Sequence, residues 1–209
     1  MRPTVIPSVA AALAALCFAA PAALAQSSPP ETHQGFFLRL QGGIGYLHAD
    51  ADYLGGNASA YGGSGVLGLA VGGAVAENVI LYAEVWGMSA VSPTVQFAGA
   101  TRVLQDASLN YGGLGLGLGT FMMPANVFLG VSLSLTRLGV TDSDGSRTNS
   151  DVGLAVSATL GKQWWISQHA GLGLSVTVIG GGNRDNNNDT NSATYKTFTG
   201  FGAIALTFG

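Results

Sequence analysis

Apolar and small side chains alternate along most of this chain, and the stretch 110–120 shows the pattern most strictly. At about 100° per residue, a helix would scatter these apolar residues around its axis, whereas a strand places them on one face. The apolar positions are Leu114, Leu116 and Leu118, and the positions between and beside them are Gly113, Gly115, Gly117 and Gly119. The pattern predicts a strand with leucines on one face and almost no side chains on the other. Such a strand suits a narrow barrel with lipid outside and a crowded interior.

Seven further segments repeat this period of two, and together they predict a closed sheet. We place the eight strands at 35–48, 61–75, 79–89, 105–121, 127–140, 152–161, 169–180 and 195–208. The connections alternate between long and short, and the short ones lie at 76–78, 123–126 and 162–168. Bacterial outer-membrane barrels have this pattern, with both termini and the short turns in the periplasm and the long polar loops outside. The predicted fold is all-β, an eight-stranded antiparallel up-and-down transmembrane β-barrel over 35–209.

Aromatic residues recur at the spacing expected for the two edges of a membrane. Ten residues separate Phe36 from Tyr46, and ten separate Phe198 from Phe208. Ten residues of strand span about 33 Å, which at a tilt of about 40° projects to roughly 25 Å, the height of the apolar band of such barrels. The predicted aromatic girdle comprises Phe36, Tyr46, Phe198, Phe208, Trp164 and Trp165.

The first 25 residues are predicted to be a cleaved signal peptide. A positive start at Arg2 precedes an apolar, alanine-rich segment, and Ala23-Leu24-Ala25 fits the small-residue rule for cleavage. The mature chain would then begin at Gln26, and 26–34 would form a flexible periplasmic lead-in. A membrane anchor and a lipoprotein site at Cys17 are the alternatives.

The composition of the mature chain excludes several classes of protein. The only cysteine, Cys17, leaves with the signal peptide, so neither a disulfide nor a thiolate metal site is expected. Loss of Arg2 leaves 7 basic and 11 acidic residues, a net charge of −4, which excludes a polybasic surface for nucleic acid. All 32 glycines lie in the mature part. Because they alternate with apolar residues, we interpret them as strand positions and not as disorder.

Two other architectures could produce parts of this pattern. A hydropathy window could read a membrane helix within 106–137, but Pro124 breaks it and small residues recur every second position. A soluble β-sandwich or lipocalin-like barrel also alternates, with its apolar residues inward. Here the opposite face is mostly Gly, Ser, Ala and Thr, side chains too small to be the polar coat of a soluble sheet.

The inward positions predict a filled lumen. An eight-stranded barrel has an interior just wide enough for side chains. The bulky inward residues are Phe37, Tyr82, Trp86, Phe128 and Phe201. These residues can fit because glycines surround them, so a wide diffusion pore is not expected. Tyr111 and Phe121 also fall on the glycine face of their strand and not on the lipid face, which the alternation does not explain.

Arg39 and Glu84 are the two charges at inward mid-strand positions. An isolated charge in a tight lumen would be costly, so the two are candidates for an ion pair inside the barrel. In the alternative, each meets water or a neighbouring hydroxyl.

The sequence offers little catalytic or metal-binding chemistry. Ser167 and His169 could form a nucleophile–base pair on one side of a strand, but no carboxylate is nearby in the sequence. Asp142 and Asp144 are suggestive of a calcium loop, without its third ligand and terminal glutamate. We therefore expect no catalytic residue, no metal and no cofactor.

The chain resembles the small outer-membrane barrels, the group of the OmpA transmembrane domain and OmpX. The resemblance covers 35–209 and rests on the signal peptide, the strand count, the segment Gly161–Ser167 before Gly171–Leu174, and the terminal Ala-Leu-Thr-Phe. Members of the group usually end on the aromatic residue, which acts as a signal for the insertion machinery, whereas here Gly209 follows Phe208.

These observations lead to one functional expectation and two alternatives. We expect a monomeric, non-enzymatic barrel of the bacterial outer membrane whose long polar loops meet surfaces, ligands or stress agents. Its expected partners are outer-membrane lipid, lipopolysaccharide and, through the last strand, the insertion machinery. The alternatives are a narrow channel for small or hydrophobic solutes and an enzyme that modifies lipid A.

Overall fold

The computed structural model describes residues 32–53, 56–185 and 193–209, and within them the chain forms eight long antiparallel strands and three short ones. The predicted signal peptide and the first part of the lead-in lie outside the described residues. The strands are β1 (Phe36–Tyr53), β2 (Gly56–Ala76), β3 (Val79–Val91), β4 (Thr94–Phe97), β5 (Ala100–Val103), β6 (Ser108–Met122), β7 (Val127–Thr141), β8 (Arg147–Asn149), β9 (Gly153–Ser167), β10 (Ala170–Asp185) and β11 (Ala193–Phe208).

The long strands close into a barrel because β1 pairs on both of its sides. Leu40 on β1 lies opposite Leu69 on β2 and opposite Leu206 on β11. The remaining long strands follow in the order β11, β10, β9, β7, β6, β3 and β2. The predicted eight-stranded antiparallel up-and-down barrel is therefore confirmed.

The two faces of the wall carry the side chains that the alternation predicts. Outward positions are apolar and exposed; Ile44, Leu67 and Leu116 have exposed fractions of 79%, 74% and 67%. Inward positions hold the buried side chains, including small Ser, Thr and Ala residues. A soluble sheet would bury the apolar face instead, so the sandwich and lipocalin-like alternatives do not hold. No helix in the described ranges is long and apolar enough to span a bilayer.

The strands extend beyond the predicted bounds at the end of the barrel with the long connections, here called the loop end. The predicted loop 49–60 is strand wherever the structure describes it, since β1 continues to Tyr53 and β2 starts at Gly56. Of the predicted loop 181–194, residues 181–185 and 193–194 are strand, and 186–192 lie outside the described residues. The inward positions of these strand extensions stay buried, as at Ala49 and Ala51, because pairing continues above the apolar band. The loop prediction was wrong for 49–53, 56–60, 181–185 and 193–194.

Two other predicted loops contain short paired strands. Within 90–104, β4 and β5 form a hairpin, and β4 pairs with β2 at Ala58–Tyr61. Within 141–151, β8 pairs with the end of β7. These additions extend the sheet of the wall at the loop end.

The opposite end, here called the turn end, carries the short turns and the start of β1. The turns after β2 and β6 lie where the sequence predicts them. The predicted turn 162–168 is instead mostly strand, since β9 continues to Ser167. A register shift between Ala170 and Gly171 accommodates the extra residue there.

Glycines on β6 make room for rings from the neighbouring strands. A Cβ at Gly117 would overlap the ring of Tyr82, and one at Gly119 would lie 2.5 Å from the ring of Phe128. A larger residue at either position would displace a buried aromatic side chain. The inner face of β6 thus lacks side chains at these glycines because aromatic rings from β3 and β7 occupy that space.

Candidate functional site

The lumen is filled by two apolar clusters. The turn-end cluster packs rings from β1, β3, β6 and β7 together with two aliphatic residues, and consists of Phe37, Ala70, Ile80, Tyr82, Phe121 and Phe128. The loop-end cluster is larger and includes Trp86, Tyr111, Leu138, Ile179 and Phe201. The predicted inward rings all belong to these clusters, so their burial is confirmed.

Tyr111 and Phe121 lie on the glycine face because each packs in the lumen. The ring of Tyr111 meets that of Trp86 edge-on, with centroids 5.1 Å apart, and Tyr111 is 1% exposed. Phe121 packs on Phe128, with centroids 4.9 Å apart. Both aromatic residues therefore contribute to the filling of the barrel and not to its lipid-facing surface.

A polar belt separates the two clusters at mid-barrel. Arg39 lies opposite Ala70 on β2, and Ala70 lies opposite Glu84 on β3, so the two charges share one row across three strands. Both line a cavity of about 20 Å³, enough for one water molecule. The ion pairs within 4.0 Å in the described ranges are His48–Asp50 and Lys196–Asp52. The structure thus places Arg39 and Glu84 in one row, but their charged groups are not within 4.0 Å of each other.

Glu84 is held by hydroxyl groups, and Arg39 by an aromatic face. The Oγ atoms of Ser132 and Ser134 donate to Oε1 of Glu84, the second at 3.5 Å. Cζ of Arg39 lies 4.8 Å from the centroid of the Phe128 ring, in cation–π geometry, and its Nε has no hydrogen-bond partner. Glu84 is therefore hydrogen-bonded to neighbouring hydroxyl groups, which was the alternative to an ion pair with Arg39.

The sequence reasoning missed the serines that complete this belt. Ser157 on β9 extends the network, since its Oγ lies 2.7 Å from the Oγ of Ser132. Both residues occupy inward positions in the predicted strands. The predicted pairing order of the strands would have placed them near one another, because β7 and β9 are neighbours in the barrel.

The segment before β1 enters the mouth of the barrel at the turn end. The His33 ring stacks between Phe121 and Trp165, with centroid distances of 3.6 and 4.6 Å. Its Nε2 lies 3.1 Å from Oδ1 of Asn126, and its backbone N–H donates to Oδ1 of Asn78 at 3.0 Å. Burial lowers the pKa of His33, an effect that the Asn126 hydrogen bond partly opposes. The last residues of the predicted lead-in are therefore packed where the structure describes them.

The predicted girdle residues lie at two levels on the outer face, with one exception. Phe36, Tyr46 and Phe198 are at least half exposed, while Phe208 and Trp164 are half-buried. Tyr46 and Phe198 lie near each other toward the loop end, since Tyr46 pairs with Gly200 and His48 with Phe198. Trp165 is the exception, because it stacks on His33 in the turn-end mouth.

The residues considered for catalysis and metal binding lie in exposed turns. The backbone N–H of His169 donates to Oγ of Ser167 at 3.3 Å across the turn between β9 and β10. In the loop before β8, the Ser146 N–H donates to Asp144 and lowers the pKa of that carboxyl. The described part of the chain holds no group of three His, Cys, Asp or Glu residues that could bind a metal.

Comparisons with known proteins identify the fold through structure and not through sequence. No family model matches the chain, and no curated protein matches it. The crystal structure of Neisserial surface protein A is similar with a TM-score of 0.53 and 14% identity, over 83% of this chain and 96% of that one. The solid-state NMR structure of the outer membrane protein AlkL in lipid bilayers is similar with a TM-score of 0.51 and 15% identity, over 88% of this chain and 93% of that one. The chain thus has the fold of the small outer-membrane β-barrels, which confirms the predicted resemblance at the level of fold.

Proposed function

We propose that the protein is a non-enzymatic barrel of the bacterial outer membrane that presents its loop end to the cell exterior and does not conduct solutes. The observation that carries this proposal is the filled lumen. Aromatic and aliphatic side chains occupy both halves of the interior, and the cavity beside Arg39 and Glu84 has a volume of only about 20 Å³. A solute on the barrel axis would have to displace packed rings.

The outer face supports the membrane setting. Exposed leucines, valines and isoleucines surround the barrel, and closure leaves none of its eight long strands with an unpaired edge. Both features suit hydrocarbon, where unpaired backbone groups and water-facing side chains are costly. The turn end would face the periplasm, where β11 would contact the insertion machinery.

The loop end supports a role in surface contact. Above the apolar band, the wall carries charged and polar side chains and three short added strands, β4, β5 and β8. Lys196 and Asp52 form an exposed ion pair there, with Nζ and Oδ2 3.0 Å apart. Loops with such side chains suit contacts with other surfaces in water.

Conductance in planar lipid bilayers tests the closed lumen. We expect no stable openings from the folded wild-type protein. The variant Tyr82→Ala with Phe128→Ala removes two rings of the turn-end cluster and serves as the comparison in which openings become measurable. Stable openings from the wild-type protein would support the narrow channel instead.

Labelling of intact cells tests the orientation. Once the signal peptide is removed, the chain has no cysteine. The single variants Gly145→Cys at the loop end and Glu77→Cys at the turn end therefore each show whether their own end of the barrel is accessible from outside the cell. A membrane-impermeant maleimide should label only the first. Equal labelling of both positions, or a folded protein that stays monomeric in buffer without detergent, would contradict the outer-membrane placement.

An acyl-release assay on lipid A tests the absence of enzymatic activity. Ser167 and His169 lie at the turn end, away from the leaflet that would contain lipid A in the proposed orientation. We therefore expect no release by the folded protein above that of a Ser167→Ala, His169→Ala double variant.

A further inference from the structure

We propose that the outer wall of β2, β3, β6, β7 and β8 holds a binding site for the phosphorylated headgroup of lipid A, with Arg137 and Arg147 as the phosphate ligands. The inference rests on the outer-membrane placement proposed above. It assigns one lipid-binding surface to particular residues of this barrel.

The site begins as a gap in the apolar coat. At one level of the wall, the outward positions of four neighbouring strands are Leu67, Gly87, Gly112 and Arg137, each paired with the next. A Cβ at Gly87 would meet nothing within 4 Å, so the surface there is bare backbone. These glycines floor a groove of about 930 Å³ that opens to the outside of the barrel.

Polar groups line the same groove at the next level toward the loop end. Here the paired outward positions include Ser89, Asn110 and Asn149. Asn110 uses its amide N–H groups on Ser108 and Thr141, which leaves its carbonyl oxygen as an acceptor for a sugar hydroxyl. The groove therefore changes from apolar at Leu67 to polar within two levels, as an interfacial headgroup requires.

Two arginines supply the charge. Arg137 follows exposed Leu135 on the outer face of β7 and lies at the edge of the apolar band. Arg147, on β8, is paired with Thr141, four residues farther along β7 and thus about 13 Å away along the strand direction. Neither arginine has a carboxylate within 4.0 Å in the described ranges. Guanidinium groups bind phosphate in bidentate geometry, so this pair can hold two separate phosphate groups.

Charge and position together favour lipid A over other occupants. In the proposed orientation, the groove faces the outer leaflet at headgroup level. Arg137 lies at the edge of the apolar band, level with Leu67, Arg147 lies nearer the loop end, and hydrocarbon-facing leucines lie below both. Lipid A combines phosphorylated sugars with acyl chains and matches this order. A phospholipid headgroup carries one phosphate and would engage the two arginines less fully.

Binding of purified lipid A to the folded barrel in detergent micelles tests the site. Arg137→Gln with Arg147→Gln should weaken binding by at least about tenfold, because two charge-assisted contacts are lost. The matched control is Arg184→Gln, which removes an exposed outward arginine at the loop end outside the groove. It should change the affinity by less than about twofold. Equal losses in the control and the double variant would overturn the proposal.

A second variant tests the groove without changing the charge. Gly87→Leu fills the bare floor, and its Cβ has open space, so the barrel should fold with both arginines in place. We expect this variant to lose lipid A affinity as well. Unchanged affinity would show that the groove is not the site.

The lipid probes separate this inference from the proposed function. Lipid A without phosphates and phosphatidylglycerol should both bind the wild-type barrel more weakly than bis-phosphorylated lipid A, and equal binding of all three overturns the site. A heat-shift gel monitors folding in every sample. Failure of the wild-type chain to insert into bilayers would contradict the outer-membrane placement, whereas an inserted barrel without preference for lipid A contradicts only the site.

Discussion

The buried turn-end cluster and the exposed rim of the loop end are held by different kinds of contact. At the turn end, the rings of Tyr82 and Phe128 pack against glycines of β6, and His33 closes the mouth between Phe121 and Trp165. At the loop end, the rim contains exposed pairs such as Lys196–Asp52, with exposed side-chain fractions of 71% and 43%. Buried packing is sensitive to single atoms, whereas exposed pairs contribute little. The turn-end and loop-end clusters can therefore maintain the fold while the rim varies its chemistry.

The largest effect is expected where the turn-end cluster meets β6. Gly117→Val should prevent folding or lower the free energy of unfolding by more than about 3 kcal/mol, because the new side chain overlaps Tyr82. The fraction of heat-shifted protein on a gel measures folding. Gly87→Val is the control, since its side chain points into open space. Similar folding of both variants would show that the lumen is loosely packed.

A smaller effect is expected in the polar belt. Ser132→Ala should lower the free energy of unfolding by about 1–3 kcal/mol, because the half-buried carboxylate of Glu84 loses its closer donor. Urea unfolding in lipid vesicles measures the change. The matched variant is Ser175→Ala, which removes a buried Oγ without a hydrogen-bond partner and should cost less. The reverse order would mean that Glu84 is not held by Ser132.

The turn-end mouth should make stability depend on pH. Burial lowers the pKa of His33 in the folded protein relative to the ordinary value of 6.5, so the unfolded chain binds more protons and stability falls as the pH drops below that value. Unfolding midpoints at about pH 7.5 and about pH 5.5 should differ in this direction. His33→Gln removes the titrating group and should reduce the difference. An unchanged pH dependence in that variant would assign the effect to other groups.

The smallest effect is expected at the rim. Lys196→Gln breaks the exposed pair with Asp52 and should change the free energy of unfolding by less than about 0.5 kcal/mol. The same urea assay measures it, at low and high salt. A loss comparable to that of Ser132→Ala would remove the contrast between the buried contacts and the rim.

The sequence predicts the faces of the strands well and their ends poorly. Period-two alternation assigns Leu116 outward and Phe128 inward, because only one arrangement keeps apolar side chains in lipid and glycines beside rings. It does not mark where pairing stops. The segment with Ala49 and Ala51 is predicted to be a loop because polar residues lie between and beside them. In the structure, β1 stays paired there because β2 and β11 continue beside it.

The alternation along the sequence does not predict which side chains from distant segments contact one another. Strand order places Arg39 and Glu84 in one row. The side-chain conformations that let Ser132 donate a hydrogen bond to Glu84 depend on packing in the lumen. His33 precedes the first strand and has no periodic context. Its place between Phe121 and Trp165 is determined only once the barrel has closed, so no local signal marks it.

Pairing of β1 with β11 makes the wall a ring in which two strands far apart in the sequence are ordinary neighbours. Leu38 near the start of β1 lies opposite Phe208 at the end of β11, at the end of the barrel that carries the short turns. A linker of turn length could therefore join the two ends, and the chain could be opened at another short turn instead. The architecture is then defined by the cycle of strand pairings, and the same cycle can be built from more than one order of strands along a chain.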